Sequence, residues 1–258
     1  MDTTRSSLAL LIISFGFFLS SPEVVGADDF RACRPINAPL PAEITDAGKY
    51  CLSGNLSTNM LRGAAIFIKA SNVVLDLNGF ILEGLANHED TTASGVTNDF
   101  FARPQNITIR NGTVRGFFEG IGLWGSNVTV EGIRADRNSS MGIRVTGDGA
   151  VIRDNQVFAT GGTRVGGSLF FPARNILVAG SAPRVLNNDV TGIRNDVSAT
   201  ATGIVLGGVG GLVINNRIVT VERGIEFFGI ASDGKYRDNL TFDVVTPYIG
   251  GTDAGNNH

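Results

Sequence analysis

The sequence has few of the residues from which metal and acid–base sites are commonly built. Among 258 residues there are two cysteines, two histidines and one tryptophan. The two cysteines, Cys33 and Cys51, have no histidine nearby, which disfavours a metal site. Signals for helices are also scarce, because no long stretch beyond the N-terminus combines an apolar period near 3.6 with capping residues. These absences indicate an all-β protein.

Apart from one run near the N-terminus, long apolar runs are absent, and so is a surplus of positive charge. The one apolar run, Leu8–Leu19, follows Arg5 and precedes the small residues Val25, Gly26 and Ala27, a pattern typical of a signal peptide over residues 1–27. Twelve residues are too few to span a bilayer comfortably, so we expect no membrane span after removal of the signal. The net charge of −3 disfavours nucleic acid as a partner. A secreted or periplasmic protein is predicted.

Cys33 and Cys51 lie close to the predicted mature N-terminus. In an exported protein a lone pair of cysteines most simply forms a disulfide, and a loop of this length would contribute roughly 3 kcal/mol. Metal binding is the alternative, for which the chain offers no further nearby ligand. We therefore predict that residues 28–62 form a disulfide-closed cap on the domain that follows.

Glycine and asparagine are abundant and recur with short apolar strands. The corresponding positions are Gly112, Ile133, Asn155, Asn188, Asn216 and Asn239. A period in the twenties indicates a solenoid in which each unit forms one coil of about three strands, paired in parallel with the next coil. A β-sandwich also has many short strands, but it has no reason to repeat a polar residue at one phase. We predict about seven coils over residues 63–258, with a stacked asparagine ladder at one corner.

The repeated segments NVVLDLNGF, NITIRNGTV, VIRDNQV, LVINNR and YRDNLT, with the strands GIGLWG, GIRVTG, GIVLGG and GIEFFG, resemble the right-handed parallel β-helix superfamily of pectate lyases, polygalacturonases and alginate epimerases. The resemblance covers residues 64–251. More narrowly, the chain is similar to small secreted bacterial β-helix proteins of unassigned activity. The resemblance implies a site on the outer face of one parallel sheet, beside inserted loops.

The GI-containing strands are the candidates for that sheet. Because side chains alternate along a strand, Ile143 and Val145 should point inward and Arg144 outward. By the same alternation Trp124, Glu226 and Phe228 lie on the outer face, and we predict that these three contact a substrate.

Hydrolysis is disfavoured, because it needs two suitably spaced carboxyl groups and these strands carry no aspartate pair. A lyase or epimerase acting on a uronate needs a base and a cation. The candidates for proton transfer are Arg144, Arg115 and His88. Calcium ligands could come from Asp90, Asp99 and Glu119. The alternative is that Arg144 and Arg115 are ordinary solvated side chains and that the insertion over residues 85–105 is a solvated loop.

Three functions follow as hypotheses. The protein binds or modifies an extended acidic polysaccharide, with lyase or epimerase chemistry if it is catalytic; it is a non-catalytic binding module; or it is a structural or adhesive solenoid. Packing of the 86–105 loop over the Trp124 face would favour an enzyme. If the loop points away from that face, His88 and its acidic neighbours are not expected to belong to a functional site.

Overall fold

The computed structural model describes residues 33–37, 39–87, 90–161, 163–165, 169–192, 201–229 and 233–258. The predicted signal peptide and His88 lie outside these ranges. The described residues form 25 β-strands and no α-helix, so they include no helix able to cross a membrane.

The strands form three parallel sheets, here called A, B and C, that wind in that order around one core. Sheet A contains β2 (Ala42–Ile44), β5 (Ala64–Ile68), β8 (Ser94–Asn98), β10 (Glu119–Trp124), β12 (Met141–Thr146), β17 (Arg174–Ser181), β20 (Thr202–Val209), and residues 223–228 of β22 (Arg217–Phe228) and 246–249 of β24 (Leu240–Ile249).

Sheet B contains β1 (Arg34–Ile36), β3 (Gly48–Leu52), β6 (Val73–Asp76), the first parts of β9 (Ile107–Arg115) and β11 (Thr129–Asp136), β13 (Val151–Arg153), β18 (Arg184–Leu186), β21 (Leu212–Ile214), β23 (Lys235–Arg237) and β25 (Thr252–Asp253). Sheet C contains β4 (Leu56–Thr58), β7 (Ile81–Gly84), the second parts of β9 and β11, β14 (Gln156–Phe158), β19 (Asp189–Thr191) and the first parts of β22 and β24. An antiparallel hairpin of β15 (Thr163–Val165) and β16 (Leu169–Phe171) lies outside the coils.

The fold is therefore a parallel β-helix, as predicted, and connections between parallel strands are right-handed in nearly all proteins. From Ala64 onward the described residues form the expected seven complete coils, followed by a partial one. The segment predicted as a cap adds an eighth coil over residues 42–58, which covers the edge of the next coil by continuing its sheets. The Cys33–Cys51 disulfide is present at this end.

The core consists of apolar side chains that stack at the same register position in successive coils. In sheet A one such column is fully buried: Val96, Ile121, Ile143, Ile176, Ile204 and Ile225. Burying each of these side chains contributes about 1.5–3 kcal/mol, and a single coil could not bury them alone. At the C-terminal end the rings of Tyr236 and Tyr248 stack at 4.6 Å and close the core.

The predicted asparagine ladder is confirmed at the corner between sheets B and C. The Nδ2 atom of Asn188 donates to the Oδ1 atom of Asn216 at 2.9 Å, and Asn155 donates in the same way to Asn188 at 2.9 Å. The ladder continues from Asn216 to Asn239 and from Asn239 to Asn257, each at 3.0 Å. Each ladder oxygen also accepts a backbone N–H of the preceding coil. The ladder thus provides hydrogen-bond acceptors for buried backbone N–H groups that strand pairing does not satisfy.

Replacing Asn188 with alanine should destabilise the protein strongly, because it leaves the amide of Asn155 without its acceptor in a fully buried place. We expect a loss of about 3 kcal/mol in the free energy of unfolding, measured with guanidinium and circular dichroism.

The matched control for that substitution is Asn187→Gly. Asn187 is exposed and has a left-handed φ of 56°, which glycine also adopts. This variant should lose less than about 1 kcal/mol. Equal losses in the two variants would show that the buried ladder has no special role.

Candidate functional site

The long connections of the chain all border sheet A. Residues 85–93, 159–173 and 192–201 lead from sheet C into sheet A, and residues 99–106 lead from sheet A to sheet B. Connections between sheets B and C contain at most four residues. Loops are where binding residues concentrate on a rigid scaffold. These connections therefore add residues at the two edges of sheet A.

The outer faces of sheets B and C carry charges that neutralise one another between neighbouring coils. On sheet B, Arg110 pairs with Asp76 at 3.0 Å and Arg153 pairs with Glu131. On sheet C, the Nε atom of Arg115 lies 2.8 Å from Glu83. The pairing is partial, because Arg184 and Lys235 on sheet B have no carboxylate partner among the described residues.

The outer face of sheet A carries columns of side chains set by strand register. One column contains Trp124, Thr146, Ala179, Gly207 and Phe228, and the neighbouring one contains Gly122, Arg144, Leu177, Val205 and Glu226. The predicted outward positions are thus confirmed. Since parallel strands lie about 4.8 Å apart, Trp124 and Phe228 are separated by about 19 Å, with small residues between them in their column.

Arg144 and Trp124 form a tight cluster with Glu119. The guanidinium carbon of Arg144 lies 3.8 Å from the centre of the Trp124 ring. Two nitrogens of Arg144 donate to the two carboxylate oxygens of Glu119, one of them at 2.7 Å. The carboxylate lies against Gly122, where a β-carbon would collide with it. Arg144 is therefore held by a two-point ion pair and an aromatic ring, rather than being an ordinary solvated side chain.

The insertion predicted over residues 85–105 is not one loop, because residues 94–98 form strand β8 of sheet A. The turn that follows this strand packs on the cluster. The ring of Phe100 meets Trp124 edge to face at 5.4 Å, and the guanidinium of Arg103 lies 5.5 Å from Phe100. The Oδ1 atom of Asp99 accepts the N–H groups of Ala102 at 3.0 Å and Phe101 at 2.8 Å. These bonds, the one from Ala102 first, lower the pKa of Asp99. The turn over residues 99–103 thus covers the Trp124 face. This is the packing expected of an enzyme, but it involves only residues after β8, whereas Asp90 precedes that strand and His88 lies outside the described residues.

A cavity of about 260 Å³ opens further along sheet A, lined by Pro172, Arg174, Thr202, Val205, Arg223, Glu226 and Phe228. One nitrogen of Arg223 lies 3.1 Å from both oxygens of Glu226. Among the described residues, Arg174 has no carboxylate within ion-pairing distance. The cavity therefore combines two guanidinium groups with one carboxylate, an excess of one positive charge in a protein whose net charge is −3.

Phe228 supplies an aromatic wall to this cavity and is 46% exposed. Its ring lies over Gly207, where a β-carbon would come within 2.7 Å of the ring edge. Glycine at this position lets the aromatic ring lie close to the sheet. Trp124, in contrast, is only partly exposed, because Arg144 and Phe100 cover it.

The other predicted site residues are dispersed. Arg115 lies on sheet C in a separate recess, and its pKa is raised by the hydrogen bond to Glu83. Asp90 lies before strand β8 and Asp99 after it, so Asp90, Asp99 and Glu119 do not converge. Within the described ranges no three metal-ligating side chains form a group. The predicted calcium site therefore has no preformed ligand set in this part of the chain.

Arg174 and Arg223 were not among the site residues predicted from the sequence. Both immediately precede an inward pair in their strands, Asn175 with Ile176 and Gly224 with Ile225. The first residues of such pairs lie at one register position in successive coils: Gly95, Gly120, Gly142, Asn175, Gly203 and Gly224. Two successive inward residues break the alternation, so the preceding side chain points outward. In the sequence, each Gly–Ile or Asn–Ile pair marks the residue before it as outward-facing. Glu119, which precedes Gly120 and Ile121, is another such residue.

Comparison with known proteins adds little to this geometry. No protein-family model and no curated protein sequence matches the chain. Among solved structures, it is similar to the enzymatically active domain of tailspike protein 2 of bacteriophage CBA120, with 13% identity and a TM-score of 0.45. The match covers 84% of this chain and 41% of the tailspike chain, so this protein spans less than half of that chain's length. A specific relation to pectate lyases stays a prediction.

Trp124 is the single tryptophan of the chain, so intrinsic fluorescence reports on this cluster alone. Gly122→Ala should expel the Glu119 carboxylate and release Arg144 from its ion pair, which uncovers the indole ring. We expect tryptophan emission to shift to longer wavelength. Gly54→Ala is the control, because no atom lies within 4 Å of its added carbon. An unchanged spectrum for Gly122→Ala would contradict the described packing.

Proposed function

We propose that this protein is an exported binding protein for an acidic polysaccharide, which lies along the outer face of sheet A. The observation that carries the proposal is the cavity beside the Arg223–Glu226 pair and the exposed ring of Phe228, in which Arg174 has no acidic partner among the described residues. The disulfide fits an exported protein, since disulfides persist in oxidising compartments.

Each group in the cavity matches one part of a uronate unit. A guanidinium fork binds a planar carboxylate through two parallel hydrogen bonds, and Arg174 is available for this. Arg223 keeps further N–H groups beyond the nitrogen that contacts Glu226, and Glu226 can accept hydrogen bonds from sugar hydroxyls. Phe228 offers an apolar face to the C–H side of a sugar ring. A neutral sugar would leave Arg174 without an anionic partner.

Binding accounts for these contacts better than hydrolysis. Glu119 and Glu226 are the carboxylates on this part of sheet A, and each is paired with an arginine. They lie four coils apart, about 19 Å, whereas glycoside hydrolysis needs two carboxyl groups within about 10 Å. Among the described residues of sheet A, no such pair is in place.

The environments of the residues predicted to act as bases also give little support to lyase or epimerase chemistry. Arg144 donates to both oxygens of Glu119 and lies on the Trp124 ring, so its guanidinium is already engaged within the protein. Arg115 lies on another sheet, and its raised pKa makes it a weaker proton acceptor. His88 lies outside the described residues. The function we propose is accordingly recognition of the polysaccharide, with catalysis examined in the same experiment.

Removing the cavity arginine should weaken binding to an acidic polysaccharide. We expect Arg174→Ala to bind polygalacturonate about tenfold more weakly than the unmodified protein, as measured by titration calorimetry at fixed salt. Arg174→Lys should recover only part of the affinity, because lysine cannot form the planar fork. Binding should weaken as salt rises and should not respond to a calcium chelator.

The matched control for Arg174→Ala is Arg153→Ala on sheet B, which removes an equal charge from another face and should leave affinity unchanged. The same samples are followed for absorbance of unsaturated uronate and for new reducing ends. No binding to any acidic polysaccharide, or equal losses in both variants, would contradict the proposal. Absorbance with new ends would show a lyase instead of a binding protein.

A further inference from the structure

Phe101 forms an exposed aromatic tip at the other end of the same face. Its side chain is 90% exposed, and it belongs to the turn that packs on Trp124. Phe100, which is 46% exposed, packs against it at 5.3 Å, so the two rings form one apolar patch, and contiguous exposed apolar patches mark interaction sites. The cavity around Arg174 does not include this ring, so its exposure is not explained by that site.

The turn that carries Phe101 is fixed at three points. The carboxylate of Asp99 accepts its backbone N–H at 2.8 Å, and the N–H of Arg103 donates to the Asp99 carbonyl at 2.9 Å. The neighbouring ring of Phe100 packs edge to face against both Phe101, at 5.3 Å, and Trp124. Trp124 is held in turn by Arg144. A contact residue that is already held in place loses little conformational entropy when a ligand binds.

Short side chains form one column of the surface between this turn and the cavity. The column from Trp124 to Phe228 passes through Thr146, Ala179 and Gly207, which have short side chains. Thr146 and Ala179 are partly exposed, whereas the outward-facing Leu177 and Val205 of the neighbouring column are buried beneath other groups, so the open path follows the first column. An extended ligand can therefore lie along the coils from the Phe101 turn, which follows β8, to Phe228 on β22, five coils or about 24 Å apart.

We propose that Phe101 is a second contact point for the acidic polysaccharide, so that full affinity requires a chain long enough to reach both Phe101 and the Arg174 cavity. This inference rests on the proposed function. The cavity recognises one carboxylate, and Phe101 packs on a sugar ring further along the same chain. A short oligosaccharide occupies the cavity alone and binds weakly, whereas a long one gains the second contact without a second association cost.

The test is a length series of oligogalacturonates, from disaccharide to octasaccharide, titrated into the unmodified protein and into Phe101→Ala. For the unmodified protein we expect affinity to rise sharply once the chain spans both points. Phe101→Ala should bind the octasaccharide about fivefold more weakly and the disaccharide with unchanged affinity. Phe242→Ala, which removes a 71% exposed ring from sheet C, is the control and should change neither.

The outcomes separate the two proposals. Binding with no increase in affinity along the series, or an equal effect of Phe101→Ala at all lengths, overturns the second contact and leaves the cavity in place. No binding at any length overturns the proposed function itself. A change of oligomeric state in Phe101→Ala, measured by sedimentation, would assign the ring to contact with a second copy and also overturn this inference.

Discussion

The buried asparagine column is the interaction on which the rest of this structure depends. Parallel strands of neighbouring coils can slip relative to one another, and a slip of one residue would turn the whole apolar set outward. Each amide from Asn155 to Asn239 bonds to the equivalent corner of the next coil, so the coils from β13 onward are held in one register. Because the register is held at this corner, residues far apart in sequence come to lie in straight columns on the outside.

The charged residues in these columns are arranged differently on the three faces. On sheets B and C, several acidic and basic residues of neighbouring coils form ion pairs, as Asp76 does with Arg110 and Glu83 with Arg115. On sheet A two pairs, Glu119–Arg144 and Arg223–Glu226, lie along the face and Arg174 stands between them in coil order. The inserted loops border the same face. A parallel β-helix is a scaffold that does not itself determine chemistry, so this asymmetry is what points to a function.

Much of the scaffold could be predicted from the sequence, because it is written in local repeats. The recurrence of Asn155, Asn188, Asn216 and Asn239 at one phase predicted both the solenoid and its ladder. Period-two alternation correctly placed Arg144 and Phe228 on the outer face. The number of coils after Ala64 followed from the same count.

The site itself was less accessible to sequence reasoning, since it depends on departures from the repeat. Strict alternation back from Ile176 and Ile225 would place Arg174 and Arg223 inside the core. The inward pairs Asn175–Ile176 and Gly224–Ile225 shift that alternation by one residue and turn both arginines outward. The pairing of Glu119 with Arg144 has the same origin. The contact between Phe100 and Trp124 joins a loop to a strand of the next coil, and no local pattern encodes such a contact.

The central claim is that sheet A binds an acidic polysaccharide through the Arg174 cavity, and a crystal structure of the protein with an oligogalacturonate tests it most directly. The account predicts a uronate carboxylate within hydrogen-bonding distance of the Arg174 guanidinium, a sugar ring against Phe228, and the chain running along the coils of sheet A. A well-ordered oligosaccharide on sheet B or sheet C, with Arg174 in contact with water alone, would contradict it.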